Sequence, residues 1–319
     1  MKRVLLKNLI LILFVFSSGL SLAGDLKLPS LFEEAKKSIG RIDYVITNVG
    51  YTSGSLAYLD GLVRVIENHK ISLKNVQYVH SDFSKPLFFA FINRDSGNLF
   101  YYDSLGKRGL YSVAFDDIVK QAHEWQKRIT ERVFSGFEFS ILTISQMLMR
   151  NAPYELMKAA ELHNHVCPGL WTGYFISKFI TKSISPDEEL TIFAIPPSCK
   201  DDALQTMLDK TVGKRNLYSR ELTEEEKKLY PDLAGVYVFW DKKKETMRAV
   251  FLKYPLGELR KAAGIDEKEY PWLWRMKLNE WIVKNLSTAE KAVEIIKEVP
   301  IDKKKLDELK MMKISLKDL

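Results

Sequence analysis

The sequence contains only two cysteines and five histidines among its 319 residues, and it has no low-complexity run. Two cysteines can form a single disulfide bond if the protein works in an oxidising compartment. The composition, 46% hydrophobic and 28% charged, is that of a globular protein and excludes disorder as the main state. A chain of this length can bury more than one core.

Long apolar runs are also lacking, with one exception near the amino terminus at residues 9–16. Basic residues precede this run, and the small residues Ser21 and Ala23 occupy the positions that a signal peptidase requires. The run is much shorter than the ~20 residues of a membrane span. The pattern therefore predicts a cleaved signal peptide over residues 1–23, a periplasmic or secreted protein, and no membrane span after cleavage.

Charge of one sign does not dominate the rest of the chain. The formal net charge is +7, and it falls to +4 without the three basic residues of the signal peptide. The remaining basic residues alternate with acidic ones, as in ELTEEEKKLYPD and VPIDKKKLDELKMMK. Such runs are typical of solvated helix faces and not of a continuous basic surface that binds a phosphate backbone. No nucleic-acid partner is therefore predicted.

The order of predicted elements in the first half of the chain recurs in the second half. Each half contains a strand, a helix and a β-hairpin, because β-branched and aromatic runs alternate with helical spacing of apolar residues. The elements are 42–49, 55–69 and the hairpin 86–104 in the first half, and 190–195, 200–210 and the hairpin 235–254 in the second. We interpret this recurrence as an internal duplication and predict an α+β fold with two related sheet-and-helix units.

The predicted domain organisation follows from this recurrence. After the signal peptide, a degenerate first unit is expected over residues 24–148 and a metal-binding unit over residues 149–319. The tail from Trp281 onward is predicted to be helical, including the segment AEKAVEIIKE.

The two halves differ at the position that precedes the shared helix. An offset of 142 residues pairs Asp60 with Asp202, but it pairs Ala57 with Cys199. No His-x-His-x-Cys segment precedes the helix of the first half. Only the second unit is therefore expected to carry chemistry.

Three of the few metal-binding side chains lie within five residues: His163, His165 and Cys167. On a helix, positions two apart point about 200° apart, whereas alternate residues of an extended segment share one face. We therefore predict an extended segment that ends at Pro168, with Cys167 near the N-cap of the helix that follows. Two imidazoles and a thiolate suit Zn²⁺ or another borderline divalent metal.

Cys199 has a similar context, because IPPSCKDDALQ leads from a strand through a proline turn into a helix. One hypothesis is a four-ligand site formed with the three residues above; another is a three-ligand site with an open position. A Cys167–Cys199 disulfide is the simplest alternative, and a cysteine nucleophile with His165 as base is a third.

Several charged residues around these motifs are candidates for supporting roles. Lys214 and Arg215 flank a polar turn and are predicted contacts for an anionic substrate. Asp201 is either a helix-dipole acid or a site residue, and Glu161 is a candidate partner for an imidazole. His80 belongs to the first unit and is either structural or a distant contributor.

At these motifs the sequence resembles the FmdE family, whose name comes from a component of formylmethanofuran dehydrogenase. HNHVCPGLWTGY and CKDDALQTMLDKTVGKRNL match the family's two motifs in the same order, within about residues 150 to 255. The resemblance implies an α+β core that binds a metal near the His-x-His-x-Cys segment, often as a dimer. It implies that Cys199, Asp202, Gln205 and Lys214 line the site, where Asp202 and Gln205 join Lys214 and Arg215 as predicted contacts for the substrate.

The sequence departs from the family in three respects. It has DKT at 209–211 where members often have Gly-Cys-Thr, it lacks a carboxy-terminal cysteine-rich zinc finger, and it begins with a predicted signal peptide. Methanofuran chemistry is therefore not expected. The first unit could replace the partner of a dimer, so a homodimer and a pseudo-dimer within one chain are both open.

The resulting hypothesis is an exported metalloprotein that binds one divalent ion and acts on or holds a small anionic molecule. Zinc is the predicted ion. The alternatives are a non-catalytic module that handles metal or binds a ligand, and a disulfide-stapled structural domain. Whether the protein is an enzyme stays open at this point.

Overall fold

The computed structural model describes residues 26–266 and 268–319, so the predicted signal peptide lies outside the described residues. The chain divides into two compact units between Ser112 and Val113. The sequence places this boundary between residues 148 and 149 instead. The helices between residues 113 and 148 belong to the second unit because they form hydrogen bonds with its later helices. For example, Gln146 Nε2 donates to the carbonyl of Met276 at 3.0 Å.

From residue 26 onward, the first unit contains one mixed sheet of five strands and two α-helices. The helices are α1 (Leu28–Ile39) and α2 (Leu59–Asn68), the latter preceded by a 3-10 helix at Ser55–Tyr58; the strands are β1 (Tyr44–Thr47), β2 (Val76–Tyr78), β3 (Phe88–Ile92), β4 (Asn98–Asp103) and β5 (Arg108–Ser112). The strand order is β2-β1-β3-β4-β5, in which only β1 and β2 are parallel.

The second unit begins with helices and then forms its own five-stranded sheet. The elements are α3 (Phe115–Lys120), α4 (Ala122–Thr130), α5 (Glu138–Met149), α6 (Tyr154–His163), α7 (Pro168–Ser183), β6 (Glu188–Ala194), α8 (Lys200–Leu208), β7 (Leu217–Ser219), α9 (Glu224–Leu229), β8 (Leu233–Asp241), β9 (Thr246–Lys253), α10 (Leu256–Ala262), α11 (Pro271–Lys284), α12 (Leu286–Glu290), β10 (Glu294–Ile301) and α13 (Lys303–Lys310). Among the described residues, no helix combines the length and the apolar character needed to cross a bilayer.

The two sheets have the same topology. In the second unit the order is β7-β6-β8-β9-β10, again with one parallel pair, β6 and β7, followed by antiparallel neighbours. Each parallel pair requires a crossover, which α2 provides in the first unit and α8 in the second. The structure therefore confirms the predicted α+β class with two similar units, while the duplication of the sequence stays a prediction.

Apolar burial explains why these segments fold as they do. Every residue of β3 (FFAFI) is buried, and α2 buries Leu62, Val65 and Ile66 at helical spacing. In the second unit, β8 is buried at nearly all positions on both faces, so other elements cover each side of the sheet. From α7, the ring of Phe175 stacks on Tyr254, the residue after β9, at 6.0 Å between ring centroids.

The tail differs from the sequence prediction. Residues 294–298, predicted as the end of the helix AEKAVEIIKE, instead belong to the strand β10 (Glu294–Ile301), which pairs antiparallel with β9. Val299 and the three isoleucines of this segment favour a strand. The free edge of β9 supplies the hydrogen bonds. Pro300 is tolerated because β10 is an edge strand. Helices α12 and α13 on either side of it keep the rest of the tail largely helical.

Candidate metal centre

Three side chains of the second unit bring metal-binding atoms together: His163, Cys167 and Cys199. One ligand atom from each lies within 4.8 Å of the others. His163 Nε2 and Cys167 Sγ are 3.6 Å apart. Within residues 26–266 and 268–319, no other group of three histidine, cysteine or acidic side chains converges in this way.

The elements that carry these donors end or begin at the site. His163 is the last residue of α6, Cys167 is the N-cap of α7 and Cys199 is the N-cap of α8. Both helix starts agree with the sequence prediction, because Pro at the first turn and a strand–turn–helix pattern are local signals.

The predicted extended segment at residues 163–167 is wrong in detail. Asn164 follows α6 in the left-handed conformation with a φ of 62°, and the chain becomes extended only near Cys167. This reversal turns the chain from the end of α6 into α7, so His163 and Cys167 meet although one of them is helical. Asparagine directly after a helical segment is the signal that could have predicted the turn.

Two glycines allow α7 and α8 to approach closely enough for the cysteines to meet. A Cβ atom on Gly173 would lie 2.1 Å from the carbonyl oxygen of Lys200, so no side chain fits there. A Cβ on Gly169 would lie 2.8 Å from Cys199 Cβ and 3.7 Å from Cys167 Sγ. The spacing of four residues places both glycines on the face of α7 that meets α8.

The loop between His163 and Cys167 is held at Val166 by two distant helices. The Val166 amide donates to Thr143 Oγ1 of α5 at 3.1 Å, and Asn279 Nδ2 of α11 donates to the Val166 carbonyl at 2.9 Å. Both backbone groups of this buried residue are thereby satisfied. The sequence does not predict Thr143 and Asn279 as site residues. They lie 23 and 113 positions from Val166 along the chain, so no local pattern connects them with it.

Asp202 orients the imidazole of His163. The Nδ1 atom of His163 donates to Asp202 Oδ2 at 2.6 Å, which leaves Nε2 directed towards the sulfur of Cys167. Gln205 Nε2 in turn donates to Asp202 Oδ1 at 3.4 Å. A metal-binding histidine usually donates its other ring N–H to a carboxylate. Asp202 and Gln205 therefore orient the ligand His163 and do not themselves reach the metal position. The sequence prediction for Asp202 and Gln205 is instead a role in substrate binding.

The side chains of the site strongly shift one another's pKa values. Burial lowers the pKa of His163, but hydrogen bonds to Asp202 and Cys199 outweigh it and raise the pKa to about 9. Hydrogen bonds from Cys167 and His163 lower the pKa of Cys199 to about 4. The pKa of Cys167 is raised, because it shares a hydrogen bond with Cys199 and is buried. Without a metal ion, the group therefore contains a Cys199 thiolate beside a protonated His163.

His165 lies beside the three donors but is not one of them. Its ring centroid is 4.2 Å from that of His163 and 5.0 Å from that of Phe139, and its Nδ1 donates to Asn164 Oδ1 at 2.9 Å. Burial and the neighbouring His163 charge lower the pKa of His165 to about 4, so this imidazole is neutral at pH 7. A neutral imidazole can serve as a fourth ligand or as a hydrogen-bonding group next to an open position.

The remaining predicted site residues have partners of their own. Glu161 pairs with Lys158. Asp201 accepts a hydrogen bond from the Ser198 amide at 2.7 Å and forms an ion pair with Lys200 at 3.0 Å. Lys214 is exposed and pairs with Asp209, while Arg215 is exposed in the next position of the turn. His80 belongs to the first unit, where its ring packs on Tyr51 at 5.1 Å.

In the first unit, the loop that corresponds to the Cys199 loop is occupied by neutral polar groups. Asn48 Oδ1 accepts from the Phe88 amide at 2.9 Å, and Asn48 Nδ2 donates to the Pro86 carbonyl at 2.9 Å. Ser55 Oγ donates to the Thr52 carbonyl at 2.6 Å. Asn48 thus ties the loop to the start of β3, Ser55 satisfies the loop's own backbone, and Ala57 stands at the position paired with Cys199.

A family of known proteins matches the part of the chain that carries this site. The model of the family described as "FmdE, Molybdenum formylmethanofuran dehydrogenase operon" matches residues 162–301. The matched range contains the three donors together with Asp202, Gln205 and Asn279. No curated protein matches the chain at a significant level.

The support that Asp202 gives to His163 leads to a testable prediction. Asp202→Asn keeps the shape of the side chain but removes the charge behind the imidazole, so we expect metal affinity to fall about 10–100-fold. Asp209→Asn is the matched control, because Asp209 follows the same helix and its side chain is 82% exposed. Competition with a chromogenic chelator measures both affinities. Equal affinities of the two variants would contradict the role of Asp202.

Proposed function

Since residues 162–301 form an FmdE-family domain, we propose that this domain binds one divalent ion of the zinc class and uses it to hold or transform a small anionic molecule. The observation that carries the proposal is the convergence of His163 Nε2 with the sulfurs of Cys167 and Cys199.

The donor set suits zinc both chemically and sterically. Two thiolates and one imidazole are ligands that zinc prefers, and bond lengths of about 2.0–2.3 Å place tetrahedral donors about 3.5 Å apart. His163 and Cys167 already have this separation at 3.6 Å, and the full set lies within 4.8 Å. Small side-chain rotations would therefore suffice to bind the ion.

Three protein ligands leave one position of a tetrahedral ion for another group. A bound zinc ion supplies Lewis acidity, which polarises an oxygen atom of a bound molecule. The chain itself contributes Asp202, which holds the ligand imidazole, and His165, whose neutral ring lies beside His163. If His165 became the fourth ligand, the domain would be a closed metal-handling module.

We place this function outside the cytoplasm, on the basis of the signal-peptide pattern in residues 1–23. This location makes the redox state of the two cysteines decisive. The two cysteines are not joined by a disulfide in the structure, and their sulfurs belong to one cluster. A Cys167–Cys199 disulfide and a metal ion would require the same two sulfur atoms and therefore exclude each other.

Metal content and thiol count of the same preparation distinguish the two states. For protein purified from the exported fraction without chelators or reductants, we expect about one zinc per chain. The two thiols should resist a thiol reagent in the native protein and react fully after denaturation in a strong chelator, because the ion masks them. Absence of metal together with no reactive thiol in the denatured, unreduced chain would identify a disulfide-stapled domain and refute the proposal.

A further inference from the structure

A small anion held at the metal site needs a cationic contact, and the two residues predicted for this role are poorly placed. Lys214 pairs with Asp209, and both Lys214 and Arg215 lie in the turn after the carboxyl end of α8, whereas Cys199 is at its amino end. Building on the proposed function, we propose that Arg275 of α11 binds the oxyanion group of the molecule held at the metal, whether that group is a carboxylate or a phosphate.

The register of α11 places Arg275 on the side of the helix that faces the metal-site loop. Asn279 of the same helix donates to the Val166 carbonyl at 2.9 Å, which fixes that face against residues 163–167. Arg275 lies four positions earlier, so it is on the same face one turn away. Helical side chains point towards the amino terminus, which extends the guanidinium beyond the Val166 contact.

The environment of Arg275 leaves its charge available. Its guanidinium packs on the ring of Trp274 at 5.5 Å from the centroid, and Arg260 packs on the same ring at 4.7 Å. Arg260 is itself anchored by a hydrogen bond to the carbonyl of Asp266 at 2.7 Å. Among the described residues, no carboxylate forms an ion pair with Arg275, whereas Lys214 pairs with Asp209.

The chemistry of the guanidinium indicates the class of molecule. Its planar fork matches a carboxylate or phosphate through two parallel hydrogen bonds, and stacking on an indole restricts its motion. A molecule that presents one oxyanion to Arg275 and another donor atom to the metal would be held at two points. We therefore infer that the site takes a small carboxylate or phosphate compound with a second oxygen or nitrogen donor.

Titration calorimetry of the zinc-loaded chain tests this inference with inorganic phosphate, acetate and neutral imidazole as separate probes. In Arg275→Gln, affinity for phosphate and acetate should fall about 10–100-fold, the usual effect of losing a charge-assisted contact, while imidazole affinity stays unchanged. Arg275→Lys keeps the charge but not the fork, so it should restore only part of the lost affinity. Arg215→Gln is the matched control and should bind all three probes like the unchanged chain.

Three results would overturn the role of Arg275: equal oxyanion affinities in Arg275→Gln and Arg215→Gln, an equal loss for imidazole, or complete recovery in Arg275→Lys. A phosphate affinity much higher than that for acetate would identify phosphate compounds as the source of the oxyanion. If the unchanged chain binds no metal, the proposed function fails, and the phosphate titration of the metal-free variants then decides on Arg275 separately. Zinc content per chain, measured beforehand, tells the two failures apart.

Discussion

Replacing Cys199 with serine is expected to remove tight zinc binding while leaving the fold intact. Loss of a supporting residue behind a ligand already costs about 10–100-fold in affinity, so loss of a thiolate ligand should cost more than 100-fold. The fold should tolerate the change because Cys199 is the N-cap of α8, a position that serine favours. Cys167→Ser should lose zinc in the same way, since Cys167 is the N-cap of α7.

The two histidines provide the matched comparison for this prediction. His163→Ala should lose zinc as the cysteine variants do, whereas His165→Ala should retain most of it, because only His163 belongs to the converging group. Zinc affinity is measured by chelator competition, and thermal unfolding of the metal-free chains checks that each variant folds. Retention of zinc by Cys199→Ser, or a larger loss in His165→Ala than in His163→Ala, would show that the ligand set is wrong.

The parts of the fold that the sequence predicts are those with strong local patterns. The hairpin strands β3 with β4 and β8 with β9 follow runs of aromatic and β-branched residues, and α7 and α8 follow clear start signals. The short strands β2 and β7 escape prediction, because three residues carry too little pattern and exist only through pairing. The helix predicted at β10 is wrong for a related reason: pairing with β9 outweighs the charged, helix-compatible composition of the segment.

The candidate site shows the same division between local and distant information. The identities of His163, Cys167 and Cys199 follow from their clustering and from the family's motifs. Their geometry does not, because it depends on the left-handed turn at Asn164 and on the close contact between α7 and α8 at Gly173. Arg275 escapes prediction since it is brought to the site by tertiary packing alone.

The shared topology of the two units clarifies what the metal site requires beyond the fold. Both sheets present a loop and a helix at the carboxyl end of their first strand, β1 and β6. In the first unit, Asn48 of that loop accepts from the Phe88 amide of β3, and Ser55 accepts from the Gly50 amide of the loop itself. In the second, Cys199 occupies the end of the loop and α6 with α7 supplies the other donors. The chemistry therefore depends on these added helices and not on the sheet.

The stability of the second unit should depend strongly on the buried carboxylate of Glu226. Its side chain is completely buried, accepts two hydrogen bonds from Arg220 at 2.7 and 2.8 Å, and accepts from the amides of Thr223 and Leu316 at 3.0 and 2.8 Å. Burial raises the pKa of Glu226, but these bonds outweigh it and lower the pKa to about 2. Glu226→Gln should therefore cost about 3 kcal/mol at pH 7, since each pKa unit corresponds to about 1.4 kcal/mol.

The sign of the pH dependence follows from the lowered pKa. Because the folded chain holds the Glu226 proton more weakly than the unfolded chain, this stabilisation is complete above the ordinary pKa of 4.5 and is lost as the pH falls towards about 2. Urea unfolding of Glu226→Gln and of the unchanged chain should thus differ by about 3 kcal/mol at pH 7 and by about 1 kcal/mol at pH 3. Glu224→Gln, in the same helix but 84% exposed, should change stability by less than about 0.5 kcal/mol. A constant difference between pH 7 and pH 3 would mean that Glu226 stabilises the unit through packing and not through its charge.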